Sequence, residues 1–410
     1  VSPLRGRGRR AAAAAAAGLA AAVLASGCGS AARPAAQPGA APSHPVALPL
    51  PSSVTADHAA WAAIPMGTAG PNLFWQLFVQ PAGAARWTLA TPPDVATNGA
   101  LVLAAGDGTS LVTGVRPSLL LGFSPIISTA DDGRTWAASA PGPGLASVPD
   151  ALAAAPDGEL MTLERDGSVE LGRAGAAARP RLTSTAALAA TAAGRACGLT
   201  GLTAAAFSPA GSPLLAGACA RPGVAGIFLD SGGNWHAAGP ALPAALHGQR
   251  LEVLRLTGTG SGLTALLQAG TGRSAALVAA WSSTGSGWTL SPPLRLDGLT
   301  LQSSSFGSGS LAVELTGRHG ELLAGRSAAW QPLPELPEGR TVTLALPAPG
   351  DVDALAASGS VLTAWRRQAA PRAAAAGAGG GAAPAAGSYG PGRWTQTQRT
   401  TVPIQYGSSS

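Results

Sequence analysis

Three features of the 410-residue sequence predict an all-β fold. Gly (56) and Pro (35) are abundant, yet aliphatic runs persist between them. That is the composition of many short strands divided by turns, not of a disordered chain. Tryptophans that follow a turn and precede a Pro-bearing stretch recur at a roughly constant interval of about 50 residues. Between them lie short apolar runs broken by Asp-Gly and Gly-rich turns. Together these predict a β-propeller, most simply of seven blades of four-stranded antiparallel sheets, with six as the alternative.

The repeat is carried by Trp87 in "RWTLATPP", Trp136 in "TWAASAPGP", Trp235 in "NWHAAGPALP", Trp288 in "GWTLSPPL", Trp330 in "AWQPLPELP" and Trp394 in "RWTQTQ". Trp136 and Trp235 stand about two intervals apart, with a Trp-less unit expected near Arg179–Ser184. The last interval is lengthened by the Gly/Ala-rich tract 373–387, read as a surface insertion. Within units, Asp157-Gly158 and Asp166-Gly167 suit tight hairpins, because Gly tolerates positive φ. A tandem β-sandwich array fits less well, since each unit is too short for a sandwich of ~100 residues. "GRWTQTQRTTVPIQYG" (Gly392–Gly407) alternates bulky and polar residues as a strand does. It is expected to pack beside the N-terminal repeat around Asn72–Gln80, as in propellers that close by pairing strands from both chain ends.

Ahead of the repeats stand Arg5, Arg7, Arg9 and Arg10, then an Ala/Leu/Val run from Ala11 to Ala25, then Ser26, Gly27 and Cys28. A positive segment, a short apolar run and small residues at its end make an export signal. The run is too short for a confident spanning helix of ~20 strongly apolar residues. "LASGC" (Leu24–Cys28) resembles the lipobox of bacterial lipoproteins, with Ala25 where Leu is commonest. The resemblance implies lipidation of Cys28 and a chain held at the extracytoplasmic face of the cell membrane. Residues 29–53 are Pro/Ala-rich and read as a tether. The expected organisation is thus signal 1–28, tether 29–53 and propeller 54–410.

The net charge of +6 includes the four leading arginines. Arg runs with interleaved aromatics are absent, which argues against nucleic acid as a partner. Cys197 and Cys219 flank a hairpin-like pair of runs turning at Ser208–Pro213. In an exported chain they are expected on neighbouring strands as a disulfide.

"TADDGRTW" (Thr129–Trp136) places Thr129, Asp131, Gly133, Thr135 and Trp136 at the positions of the Asp-box, or BNR repeat, which it resembles. "FLDSGGNW" is a partial second copy through Asp230, Gly232 and Trp235. A physical reading needs no enzyme: the carboxylate accepts turn amides, the Gly takes an angle others avoid, and the Trp packs between blades. The resemblance implies a structural motif on a sialidase-like propeller, and fold does not carry chemistry with it. A sialidase-like site would need a tyrosine nucleophile. The two tyrosines, Tyr389 and Tyr406, both stand near the C-terminal end. The five histidines (His44, His58, His236, His247, His319) show no metal-ligand spacing. No catalytic residue, metal or cofactor is assigned. The expectation is a non-catalytic binding or scaffold module for a protein or glycan. The alternatives are a sialidase-like glycoside hydrolase or an accessory factor for assembly of a membrane complex.

Overall fold

The computed structural model describes residues 52–404, apart from 57–58, 68–72, 93–100, 107–109, 116–125, 139–148, 174–175, 177–178, 260–261, 286, 308, 317–318, 324–328, 338–341, 349–350 and 369–391. The signal, Cys28, the tether up to residue 51, the Gly/Ala-rich tract and both tyrosines lie outside the described residues.

The described residues form a β-propeller of consecutive four-stranded antiparallel meanders. The first holds β1 (Ser52–Ala56), β2 (Ala59–Gly67), β3 (Leu73–Gln80) and β4 (Thr88–Leu89). The second holds β5 (Leu101–Ala105), β6 (Leu111–Val115), β7 (Ile126–Thr129) and β8 (Ala137–Ala138). The third holds β9 (Ala151–Ala154), β10 (Glu159–Leu163), β11 (Ser168–Arg173) and β12 (Arg181–Ser184). After α1 (Thr185–Ala189) and α2 (Ala192–Cys197), the fourth holds β13 (Leu199–Phe207), β14 (Pro213–Cys219), β15 (Gly226–Ser231) and β16 (Asn234–Ala237). The fifth holds β17 (Leu251–Thr259), β18 (Gly262–Ala269), β19 (Ala276–Ser282) and β20 (Thr289–Leu290), with β21 (Leu294–Arg295) also paired to β19. The sixth holds β22 (Leu301–Gly307), β23 (Ser310–Leu315), β24 (His319–Leu323) and β25 (Gln331–Pro332). The last holds β26 (Val342–Ala345), β27 (Asp353–Ser358), β28 (Val361–Gln368) and β29 (Arg393–Thr401). The Trp-less unit near Arg179–Ser184 is the third meander, with β12 as its outer strand. Strand β1 takes in Ser52 and Ser53, the last residues of the segment read as tether.

Apolar side chains on the two faces of each meander pack into clusters shared by consecutive meanders, which is what bends the row into a ring. Trp61, Trp75 and Leu77 meet Leu101, Leu111 and Ile127. Met161 and Val169 meet Leu202 and Leu215, and Ile227 meets Val253 and Leu267. The ring closes where Ala60, Ile64 and Phe78 of the first meander meet Leu355, Leu362 and Val402 of the last. Burying a side chain of this size stabilises by about 1.5–3 kcal/mol relative to exposure, so each shared cluster weighs against opening the ring.

Polar latches repeat on the inner and outer sides. On the inner strands, Thr203 Oγ1 donates to the Val253 carbonyl (2.5 Å) and Thr55 Oγ1 to the Leu346 carbonyl (2.9 Å). Ladder bulges at matching places in β13, β17 and β22 kink these strands. On the outer side, Trp288 Nε1 donates to the Ala238 carbonyl (2.6 Å), Trp330 Nε1 to Pro292 (2.9 Å) and Trp394 Nε1 to Pro334 (3.3 Å). Each indole thus binds the Pro-bearing stretch that follows the preceding meander's own tryptophan, which is the physical content of the Trp–Pro repeat in the sequence.

The C-terminal strand packs beside the first meander as expected, at Phe78, but without exchanging a strand with it. Strand β29 is the outer strand of a sheet ordered β26-β27-β28-β29, built wholly from the C-terminal end. It meets the first meander through side chains. Trp87 N donates to Gln398 Oε1 (2.9 Å) and Gln398 Nε2 donates to the Trp87 carbonyl (2.9 Å), while Val402 packs with Phe78. The strand pairing across the hub is instead between the first strands of the first and sixth meanders. Strands β1 and β22 run parallel with Ser53 opposite Ser305, and their hydroxyls lie 2.5 Å apart.

The two helices were not expected. Ser184 accepts from Ala187 N and Thr191 from Gly194 N as N-caps, and Gly198 (φ 65) ends α2 in the left-handed conformation. That turn corrects the placement of the cysteines. Cys197 ends a helix, not a strand, and bonds to Cys219 at the end of β14. The hairpin β13–β14 does turn at Ser208–Ser212, where Ser208 N and Ser212 O pair.

One buried carboxyl makes stability pH-dependent. Glu314, on β23, is 5% exposed and accepts from Ser303 Oγ at 3.0 Å. Burial pushes its pKa up to about 7, against the pull of the Ser303 hydroxyl and the Val342 amide. The folded state therefore holds this proton more tightly than the unfolded state. The stabilisation is complete below the unfolded value of 4.5 and is lost as pH rises through about 7. Glu314→Gln keeps an acceptor for Ser303 without the charge. It is expected to remove this fall and gain on the order of 2 kcal/mol at pH 8, read from urea unfolding at pH 5 and pH 8. Equal pH slopes for the two proteins would refute the assignment.

Candidate functional site

Thr129–Trp136 forms the turn between β7 and β8. Asp131 Oδ1 accepts from Thr129 Oγ1 (2.8 Å) and Thr135 N (2.9 Å), and Oδ2 accepts from Thr135 Oγ1 (2.6 Å). Thr129 Oγ1 in turn accepts from the amides of Asp131 (3.3 Å) and Gly133 (3.0 Å). The Thr135 hydroxyl and amide, with Thr129 and a turn amide behind them, hold the Asp131 carboxyl down at about 2, so it stays an acceptor. The backbone is left-handed at Asp132 (φ 57) and Gly133 (φ 77). A Cβ on Gly133 would stand 2.7 Å from Ala90 Cβ. The turn therefore docks on the first meander and only glycine fits it. Trp136 Nε1 donates to the Gly133 carbonyl (3.1 Å), fixing the ring against the cluster shared by the first and second meanders.

The partial copy behaves differently. Asp230, 7% exposed, accepts from Gly233 N at 2.9 Å. Gly232 (φ 64) and Gly233 (φ 89) make a two-residue hairpin that leaves Trp235 directly opposite Asp230. Trp235 packs on the cluster between the third and fourth meanders. Phe228 and Asn234 stand where the first turn has Thr129 and Thr135, so the copy lacks the Thr-Asp-Thr web.

A groove of about 340 Å³ opens beside the first turn, between the second and third meanders. Its walls include Ser128, Thr135 and Trp136 from the turn side and Ala155, Pro156 and Glu159 from the β9–β10 hairpin. Among the described residues, Glu159 is the one charged residue lining it. No hydrogen bond or ion pair to another described residue engages the Glu159 carboxylate or the Ser128 hydroxyl. The turn was legible in the sequence, but Glu159 was not. The Asp157-Gly158 signal marks a hairpin and says nothing of which neighbouring meander its next residue faces. Among the described residues, no group of three His, Cys, Asp or Glu is placed to hold a metal. His236 is exposed on β16, and His247 Nε2 lies 2.9 Å from the Leu242 carbonyl.

No protein-family model matches the chain, and no curated protein matches it. Similar solved structures include YCF48 bound to D1 peptide, at 13% identity and TM-score 0.44 over 76% of this chain and 89% of that one. YCF48 from Cyanidioschyzon merolae gives 11% identity and TM-score 0.44 over 78% and 93%. The GH74 xyloglucanase from Xanthomonas campestris gives 14% identity and TM-score 0.48 over 77% of this chain and 52% of its own, so the chain spans about half the xyloglucanase's length. The likeness to all three is one of fold.

Proposed function

We propose that the chain is a lipid-anchored extracytoplasmic β-propeller that binds a ligand or partner without transforming it. The meanders are its seven blades, and the groove beside Trp136 is its binding site. The observation that carries the binding role is this groove, a concave site lined by Trp136 and by a carboxylate and a hydroxyl that no other described residue engages. The anchor rests on the sequence alone, on the arginines, the apolar run and Cys28. Among the described residues no helix is long and apolar enough to cross a membrane, and a lipid on Cys28 would supply attachment by other means. The Asp-box reading of Thr129–Trp136 accounts for the turn that orients Trp136.

The test has two arms. Cys28→Ser is expected to move the protein from the membrane fraction to the soluble fraction of the exporting cell; unchanged membrane retention sinks the lipid anchor. The purified chain is expected to leave a fluorogenic sialoside intact. Turnover would replace the binding role with that of a glycoside hydrolase.

A further inference from the structure

Among its described lining residues, the Trp136 groove carries a single charge, the Glu159 carboxylate. Because Asp131 remains a carboxylate, the hydroxyls of Thr129 and Thr135 both donate to it. The Trp136 indole N–H is committed to the Gly133 carbonyl. These three donors are thus turned into the protein, while the Ser128 hydroxyl lines the groove without such a commitment. The Thr135 oxygen and the Glu159 carboxylate keep lone pairs. Among the described residues no arginine lines the groove, and Arg134, beside it in sequence, is exposed. Trp136 lines the same groove as Glu159, and the π face of an indole attracts positive charge.

We infer that the groove takes a cationic group, an ammonium or guanidinium held between the Trp136 ring and the Glu159 carboxylate. The inference rests on the groove being the ligand site and names the chemistry it selects. An acidic ligand would meet Glu159 as a like charge. The volume suits a side chain of a partner protein or a small amine.

The test is a titration of the purified full chain with ethylguanidinium chloride and with N-ethylurea, its neutral near-isostere, at matched ionic strength. The readout is the Trp136 indole N–H resonance, identified by its loss in Trp136→Phe. Ethylguanidinium is expected to shift the signal saturably and ethylurea to bind roughly tenfold more weakly or less. Glu159→Gln is expected to weaken ethylguanidinium by about tenfold while leaving the resonance itself in place. Glu159 is partly exposed at a hairpin, so this variant reports charge, not folding. Equal shifts with both probes, or an unchanged affinity in Glu159→Gln, would overturn the cation reading and keep the groove as a site for neutral ligands. No saturable shift with either probe, nor with glucose or sialic acid, would overturn both this inference and the binding site itself.

Discussion

Asp353→Ala is expected to lower the stability of the propeller by about 3 kcal/mol, read as a fall in the urea midpoint at constant slope. Asp353 begins β27 and is 1% exposed. It receives Arg366 Nε at 2.7 Å, Arg366 Nη2 at 2.9 Å and Trp87 Nε1 at 3.0 Å. The first two are a bidentate pair within the last meander. The third crosses to the first meander, so one carboxylate serves both the pair and the closure of the ring. Truncation leaves a partly enclosed guanidinium with the more exposed Asp351 (3.6 Å) and a long contact to Gln80 (3.4 Å), and leaves the buried Trp87 indole N–H without its acceptor. Asp353→Leu with Arg366→Met removes both charges together and is expected to recover most of the loss, because the cost lies in the orphaned partner. A loss below about 1 kcal/mol for the single variant would mean that this contact is no clamp.

Replacing both Cys197 and Cys219 by Ala is expected to cost about 3 kcal/mol, the loop-closure entropy that a cross-link over 22 residues removes from the unfolded chain. The bond ties the end of α2 to the end of β14, and both sulfurs sit in the cluster between the third and fourth meanders. The same fall should follow treatment of the native chain with reductant under mild denaturant. A double variant as stable as the native chain would show that packing of the helix pair, through Leu188 and Ala193, holds this region by itself.

The sequence made the architecture legible because its signal is carried by a bulky residue in a repeated job. Trp288, Trp330 and Trp394 recur since each indole must reach a carbonyl beside the preceding meander's Pro-bearing stretch. The turn at Asp131 was legible for a similar reason, since every partner of its carboxylate lies within four residues. Long-range pairings were not legible. Nothing local marks Ser53 and Ser305 as neighbours across 252 positions, nor Glu159 as lining the same groove as Trp136. The helix pair was missed because its Ala-rich run between Ser184 and Gly198 carries no apolar periodicity of its own. The caps Ser184, Thr191 and Gly198 were the available signal.

The parallel pairing of β1 with β22 also sets an order of events in time. The first meander must wait for residue 304 before its inner edge is paired, and for residues 353–402 before its flank of Ala60, Ala62, Ile64 and Phe78 is covered. The earlier meanders can therefore be pinned head to tail by hydrogen bonds while the space for the last described one still stands open. The last meander then arrives as a wedge between two elements already joined. That apolar flank stays exposed for the whole interval. The slow step on the way to the native ring, and the state most prone to aggregate, is this notched ring awaiting its final piece.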